Sequence, residues 1–173
     1  MRVAARINGQ HRHAAAPTDI DSQPDFDRRY TIRGMSGPTP YIHFQGTARE
    51  ALSFYADVFG GATQLHTFAE FSRTDGPADA VAHGYLVDTP IALFASDVAG
   101  EQPAFRAQGL MLSLLGTAEA ATMRGWFARL AETGKVVDDL QKRPWGTLDG
   151  QVIDRYGLHL LADRVQGRRQ RVI

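Results

Sequence analysis

From residue 38 onward the chain alternates between two kinds of pattern, and it does so twice. Residues 38–45, PTPYIHFQ, alternate as a strand, with Ile42 and Phe44 on one face and Tyr41, His43 and Gln45 on the other. Thr47 then opens a helix, and Glu50 stands three residues later at the spacing of a capping box. Ala48, Leu52, Tyr55, Val58 and Phe59 recur at helical spacing and mark its apolar stripe. Gly60-Gly61 stops it. Strands are expected over 62–71, 80–87 and 91–96, joined by turns at 73–77 and 88–90. On this reading Phe68 and Phe71, three apart on one strand, point to opposite faces.

The same programme then repeats. Residues 110–115 are an apolar strand, and Gly46-Thr47-Ala48 recurs as Gly116-Thr117-Ala118. Thr117 is expected to cap a second helix with Ala120, Met123, Phe127 and Leu130 inward, ended by Gly134. Strands follow over 135–140, 147–154 and 158–162, and Leu160-Leu161-Ala162-Asp163 echoes Leu93-Phe94-Ala95-Ser96-Asp97. The order is βαβββ twice, in modules 38–97 and 108–163. Each module is then a four-stranded sheet with one helix on one face, and its second face needs cover. A matching unit beside it encloses a cavity walled by the faces opposite the helices. The expected class is α+β: two tandem βαβββ modules forming curved sheets around a cavity.

The ends of the chain read differently. Residues 1–37 have sparse apolar positions with neither period, and form an N-terminal extension that buries too little to offset its ordering entropy. Met35 stands there as an alternative start, and His11 and His13 form an isolated HxH. Residues 164–173 are a basic, solvated tail.

Composition removes several classes of function. Nineteen Lys plus Arg balance nineteen Asp plus Glu, so no basic excess supports a nucleic-acid footprint. Cysteine is absent, which excludes disulfides, thiolate catalysis and cysteine-ligated zinc. No apolar run is long enough for a membrane span, and the N-terminus has no continuous apolar stretch of the secretory kind. The expectation is a cytoplasmic protein with no nucleic-acid or membrane partner. No phosphate-binding loop, dinucleotide fingerprint, nucleophile elbow or HExxH is present.

Five segments carry a resemblance to a known family: PYIHFQGTAREALSFYADVFGG (40–61), AVAHGYLVD (80–88), ALFASD (92–97), LAETGKVVDDLQKRPWG (130–146) and DRYGLHLLAD (154–163). Together they cover residues 38–163. They resemble the vicinal oxygen chelate superfamily, the glyoxalase and bleomycin-resistance group, and within it the PhnB-like branch. The resemblance implies paired βαβββ modules, a homodimer and a small-molecule ligand. It does not imply one reaction, because that superfamily spans lyases, dioxygenases, epimerases and proteins that only sequester drugs.

Metal-using members of that superfamily hold a divalent ion with one ligand on the first strand of each module and one late in each. Carried over, these positions fall on Pro40 (Thr39 with the register moved by one), on Gly109 or Leu110, on or near His83, and on Leu161. Only His83 offers a usual ligand. The first reading is therefore a protein that binds a small organic molecule in the inter-module cavity without the usual metal site. Its cavity is lined by Tyr41, His43, His83, Tyr85, Trp145 and His159. The alternative is a metal-dependent lyase, isomerase or dioxygenase whose ion sits on a rearranged His43, His83 and His159. Asp154 and Gly157, bracketing Arg155-Tyr156, are read as turn chemistry rather than catalysis, and Asp97 as a strand end that caps the next turn.

Overall fold

After Pro38-Thr39-Pro40 the first alternating run enters β1, Tyr41–Phe44, which buries Ile42 and Phe44 and leaves Tyr41 and His43 exposed. A computed structural model describes residues 38–165; the N-terminal extension with His11 and His13, and the tail from 166, lie outside the described residues. The first module continues with α1 (Ala48–Phe59), β2 (Ala62–Thr67), β3 (Val81–Val87) and β4 (Phe94–Asp97). The second has β5 (Leu112–Ser113), α2 (Ala120–Ala131), β6 (Lys135–Lys142), β7 (Thr147–Ile153) and β8 (His159–Val165). Each module forms one four-stranded sheet, ordered β1-β4-β3-β2 and β5-β8-β7-β6. In both, the first strand runs parallel to the last and the other pairings are antiparallel. The duplication read from the repeated motifs is therefore a duplication of topology.

The local chemistry departs from expectation at three places. The Thr47–Glu50 capping box does not form: Thr47 makes no side-chain cap, and the Ala48 N–H donates to Asp97 Oδ1 at 2.9 Å. A box of the same kind closes at Thr67 and Glu70, where each backbone N–H donates to the other's side chain at 2.9 and 3.3 Å. It ends β2 four residues early and turns the chain into a short 3-10 segment, Ala69–Phe71. Phe68 and Phe71 are thus not on opposite faces of one strand: Phe68 is sealed in the interior and Phe71 is largely exposed. In the second module Thr117 caps no helix. Its hydroxyl donates to Leu114 O, and α2 begins after Glu119. β5 pairs only at Leu112↔Leu160 and Ser113↔Leu161, so Leu110, Met111 and Leu115 stand exposed around it. β8 continues through Val165, and Arg164 pairs with Glu119 at 2.6 Å.

Asp97 also shows where the sequence echo between modules ends. It lies two residues after buried Ala95 and so shares that face, where its second oxygen accepts from the Val81 N–H at 2.9 Å. Asp163 lies one residue after buried Ala162 and points the other way. One buried carboxylate therefore ties the end of β4 to the starts of α1 and β3. Asp97→Ala leaves two buried N–H groups without acceptors, and is expected to lose about 3 kcal/mol of stability in urea denaturation; a loss below about 1 kcal/mol contradicts this role.

One apolar core serves both modules. Leu52, Tyr55 and Phe59 of α1 cluster with Met123, Phe127 and Leu130 of α2 and with Val152 and Leu160 of the second sheet. Phe59 meets the Trp126 ring edge-on at 5.1 Å. The modules thus join through their helix-bearing sides, which corrects the expected chamber. The stripes on α1 and α2 are wide enough to cover their own sheets and each other, so the faces opposite the helices are not used to join the halves. The two sheets remain separate and do not close around one cavity within the chain. Among the described residues, no helix is long and apolar enough to cross a membrane.

Candidate functional site

The side chains opposite α1 are set by strand register. Tyr41 pairs with Phe94, Phe94 with Tyr85, and Tyr85 with Gln64, so one row crosses all four strands. His43 pairs with Ser96, and His83 with His66, in the adjacent row. The result is a face of aromatic and imidazole rings. Tyr41 lies 5.3 Å from His43, 5.6 Å from His83 and 6.1 Å from Phe94, with planes within 34° of one another. His83 also sits 5.5 Å from Phe94 and 5.6 Å from Tyr85.

Hydrogen bonds lock the rings. The Tyr41 hydroxyl is 3.0 Å from His83 Nδ1, Tyr85 donates to Gln64 Oε1 at 3.0 Å, and Ser96 Oγ lies 3.4 Å from His43 Nδ1. Burial raises the Tyr41 phenol above its ordinary value, and Ser96 and the Arg73 charge pull it partly back. Burial lowers the His83 imidazole, with the His66 charge acting in the same direction. At neutral pH the phenol is therefore protonated and the imidazole neutral. Tyr41 and His83 Nδ1 share this hydrogen bond, its sense set by which imidazole nitrogen carries the proton. The face can stack a flat group, and it offers a neutral imidazole.

The second sheet's corresponding face is different. Asp149 of β7 stands directly across from Asp163 of β8. Arg143 reaches Asp149 at 2.6 Å and also pairs with Asp138. Burial, and then the Asp149 charge, raise the Asp163 carboxyl above the ordinary carboxylate value. Asp163 Oδ1 and His159 Nε2 are both sealed from solvent without a hydrogen bond.

Of the six residues read from sequence, the structure brings Tyr41, His43, His83 and Tyr85 together. It does not bring in the other two. His159 belongs to the second sheet, and Trp145 sits 71% exposed in the turn between β6 and β7. Phe94, Ser96, Gln64 and His66 complete the first face and were missed, although the alternation of ALFASD already puts Phe94 and Ser96 on one side.

A divalent ion does not fit these donors. Pro40, Gly109 and Leu161 have no ligating side chain. His43 and His83 lie on one sheet and His159 on the other, and no group of three or more His, Asp or Glu able to hold a metal occurs among the described residues.

No family model matches the sequence, and no curated protein matches it significantly. Solved structures do. Protein PA1353 from Pseudomonas aeruginosa is 29% identical with a TM-score of 0.63, over 77% of this chain and 100% of that one. A PhnB protein from Bacillus cereus is 20% identical with a TM-score of 0.60, over 75% of this chain and 99% of that one. With two βαβββ modules of the same strand order, the chain has the glyoxalase-like fold, and its structural neighbours include a PhnB protein.

Proposed function

We propose that this is a PhnB-like cytoplasmic protein that binds a small organic molecule on the ring-lined face of its first sheet, without a metal ion. The observation that carries the reading is the face itself. Tyr41, His43, His83, Tyr85 and Phe94 stand together on the side that α1 does not cover, and Tyr41 remains 43% exposed. Aromatic walls with a few fixed polar groups are the usual lining of small-molecule sites. The same geometry supports a homodimer. Each chain leaves two sheet faces uncovered by helices, and a second copy covers them and supplies the opposite wall of the site.

The test is a thermal-shift screen of small organic molecules. A genuine ligand at about a hundredfold its Kd is expected to raise Tm by about 5 °C or more. Tyr41→Leu, which removes an exposed ring from the face, is expected to abolish most of that shift. Hits that stabilise Tyr41→Leu as well as wild type, or no hit at all, reject the site. Sedimentation should give a mass near twice 19.0 kDa, and a monomer rejects the shared wall.

A further inference from the structure

A second concavity opens beside the first-sheet face, where the modules meet, with His43 at its edge. It is a groove of about 400 Å³ between the start of α1 and the β7–β8 turn. Its floor is aromatic. Phe44 packs edge-on against Tyr156 at 6.0 Å, and Phe105 is held beside them because its N–H donates to His43 O at 2.7 Å. Its rim carries Thr47, Glu50 and Arg155. Glu50 Oε1 accepts from the Tyr156 hydroxyl at 2.8 Å. Arg155 reaches the same Glu50 oxygen only at 3.5 Å, and otherwise lies over the Phe54 and Tyr156 rings, 4.6 and 5.0 Å from their centroids. A guanidinium has five N–H donors, and the long ion pair with Glu50 and a hydrogen bond with the Tyr156 side chain leave the others for a ligand.

We propose that this groove binds a small organic carboxylate with an aromatic body. The carboxylate takes the N–H donors of Arg155, with the Thr47 hydroxyl on the same rim, and the body lies on Phe44, Phe105 and Tyr156. The two ring contacts hold the guanidinium flat, which suits two parallel N–H···O bonds to one carboxylate. Glu50 is the opposing element. Its charge stands beside the arriving anion and weakens it, so the site selects ligands whose body fills the floor. The class follows from the donors on the rim: the Arg155 guanidinium lines the groove, and the Thr47 hydroxyl, which makes no cap bond, stands with it at the positive start of α1, which favours an anion.

The probe is 3-phenylpropionate, titrated into the full chain and followed by amide chemical shifts, with uncharged 3-phenylpropanamide as control. Saturable shifts are expected at Thr47, Phe105, Arg155 and Tyr156, with a Kd on the order of 1 mM for so small a ligand. The amide should bind at least about tenfold more weakly. Arg155→Gln keeps a long polar side chain at this exposed position and removes the charge; it should weaken the acid about tenfold or more. Glu50→Gln keeps an acceptor for the Tyr156 hydroxyl and should tighten the acid about threefold. These opposite signs are what a purely structural disturbance would not produce. Absence of saturation in wild type, equal binding of acid and amide, unchanged affinity in Arg155→Gln, or shifts confined to Tyr41, His83 and Phe94 overturns the proposal. The last outcome leaves the first-sheet site intact, so the two readings fail separately.

Discussion

Asp154→Ala is expected to cost about 4 kcal/mol, because three donors, two of them buried, lose one shared acceptor. Asp154 Oδ1 accepts from the Tyr156 and Leu158 N–H groups at 2.8 and 2.9 Å, closing the β7–β8 turn. Oδ2 accepts from the Tyr55 hydroxyl at 2.7 Å, and Tyr55 is on α1 of the other module. The residue is thus both a turn and a tie between halves. Tyr55→Phe removes only the tie and should cost about 2 kcal/mol. Asp154→Asn preserves the turn acceptor and should cost less than either.

The charge on Asp154 gives a second signature. Burial raises its carboxyl above the ordinary carboxylate value, and the hydrogen bonds from Tyr55, Leu158 and Tyr156 only partly offset this. The folded state therefore holds this proton more tightly than the unfolded chain. The favourable contribution is complete below the ordinary carboxylate pKa, about pH 4, and is lost as pH rises through the raised folded value. Asp154→Asn lacks this titration, so it should gain on wild type as pH rises from about 4 to 7. Urea denaturation at both pH values checks it. A gap between Asp154→Asn and wild type that does not change, or that widens with pH, contradicts the burial argument.

Much of this fold was legible because it is written twice. Strand alternation around Ile42 and Phe44, the α1 stripe and the Gly-Thr-Ala repeat fixed the order of elements, and identical strand orders follow from it. What alternation cannot give is how two modules join. That depends on the width of the helix stripes, and Trp126 and Phe59 made the helix sides the mutual interface. For the same reason the face residues of one sheet were found and those spanning both sheets were not: Tyr41, His43, His83 and Tyr85 share a register, while His159 was assigned to the same chamber only through the assumed closure. Caps were misplaced because a T-x-x-E spacing occurs at both 47 and 67. Only tertiary structure decides between them, since Asp97 arrives at the first from β4. Glu50 and Arg155 illustrate the same limit, because nothing local links residues on α1 to a turn in the other module.

The Gly60-Gly61 pair that stops α1 separates two effects that sequence lumps together. Gly60 has φ 78° and ψ 157°, a region nearly reserved for glycine, yet an added Cβ there meets nothing within 4 Å. Gly60→Ala therefore pays backbone strain alone, about 2 kcal/mol. Gly61 has φ 106°, and a Cβ there would lie 2.3 Å from Val87 O and 2.9 Å from Asp88 O. Both are backbone atoms at the end of β3, paired with the start of β2 through Ala62↔Val87, so neither can rotate away as a side chain would. Gly61→Ala must separate the β2–β3 pair at its first rung as well as bear the strain, and is expected to cost about 4 kcal/mol or more. The displaced rung lies next to Gln64↔Tyr85 and leads to His66↔His83, so the ring-lined face should shift with it. Denaturation of the two variants side by side tests the distinction. Equal losses would mean that the glycines serve only as a helix stop. A Gly61→Ala loss about twice that of Gly60→Ala, with altered amide shifts at His83 and Tyr85, would place the close approach of the backbones at the root of the site's geometry.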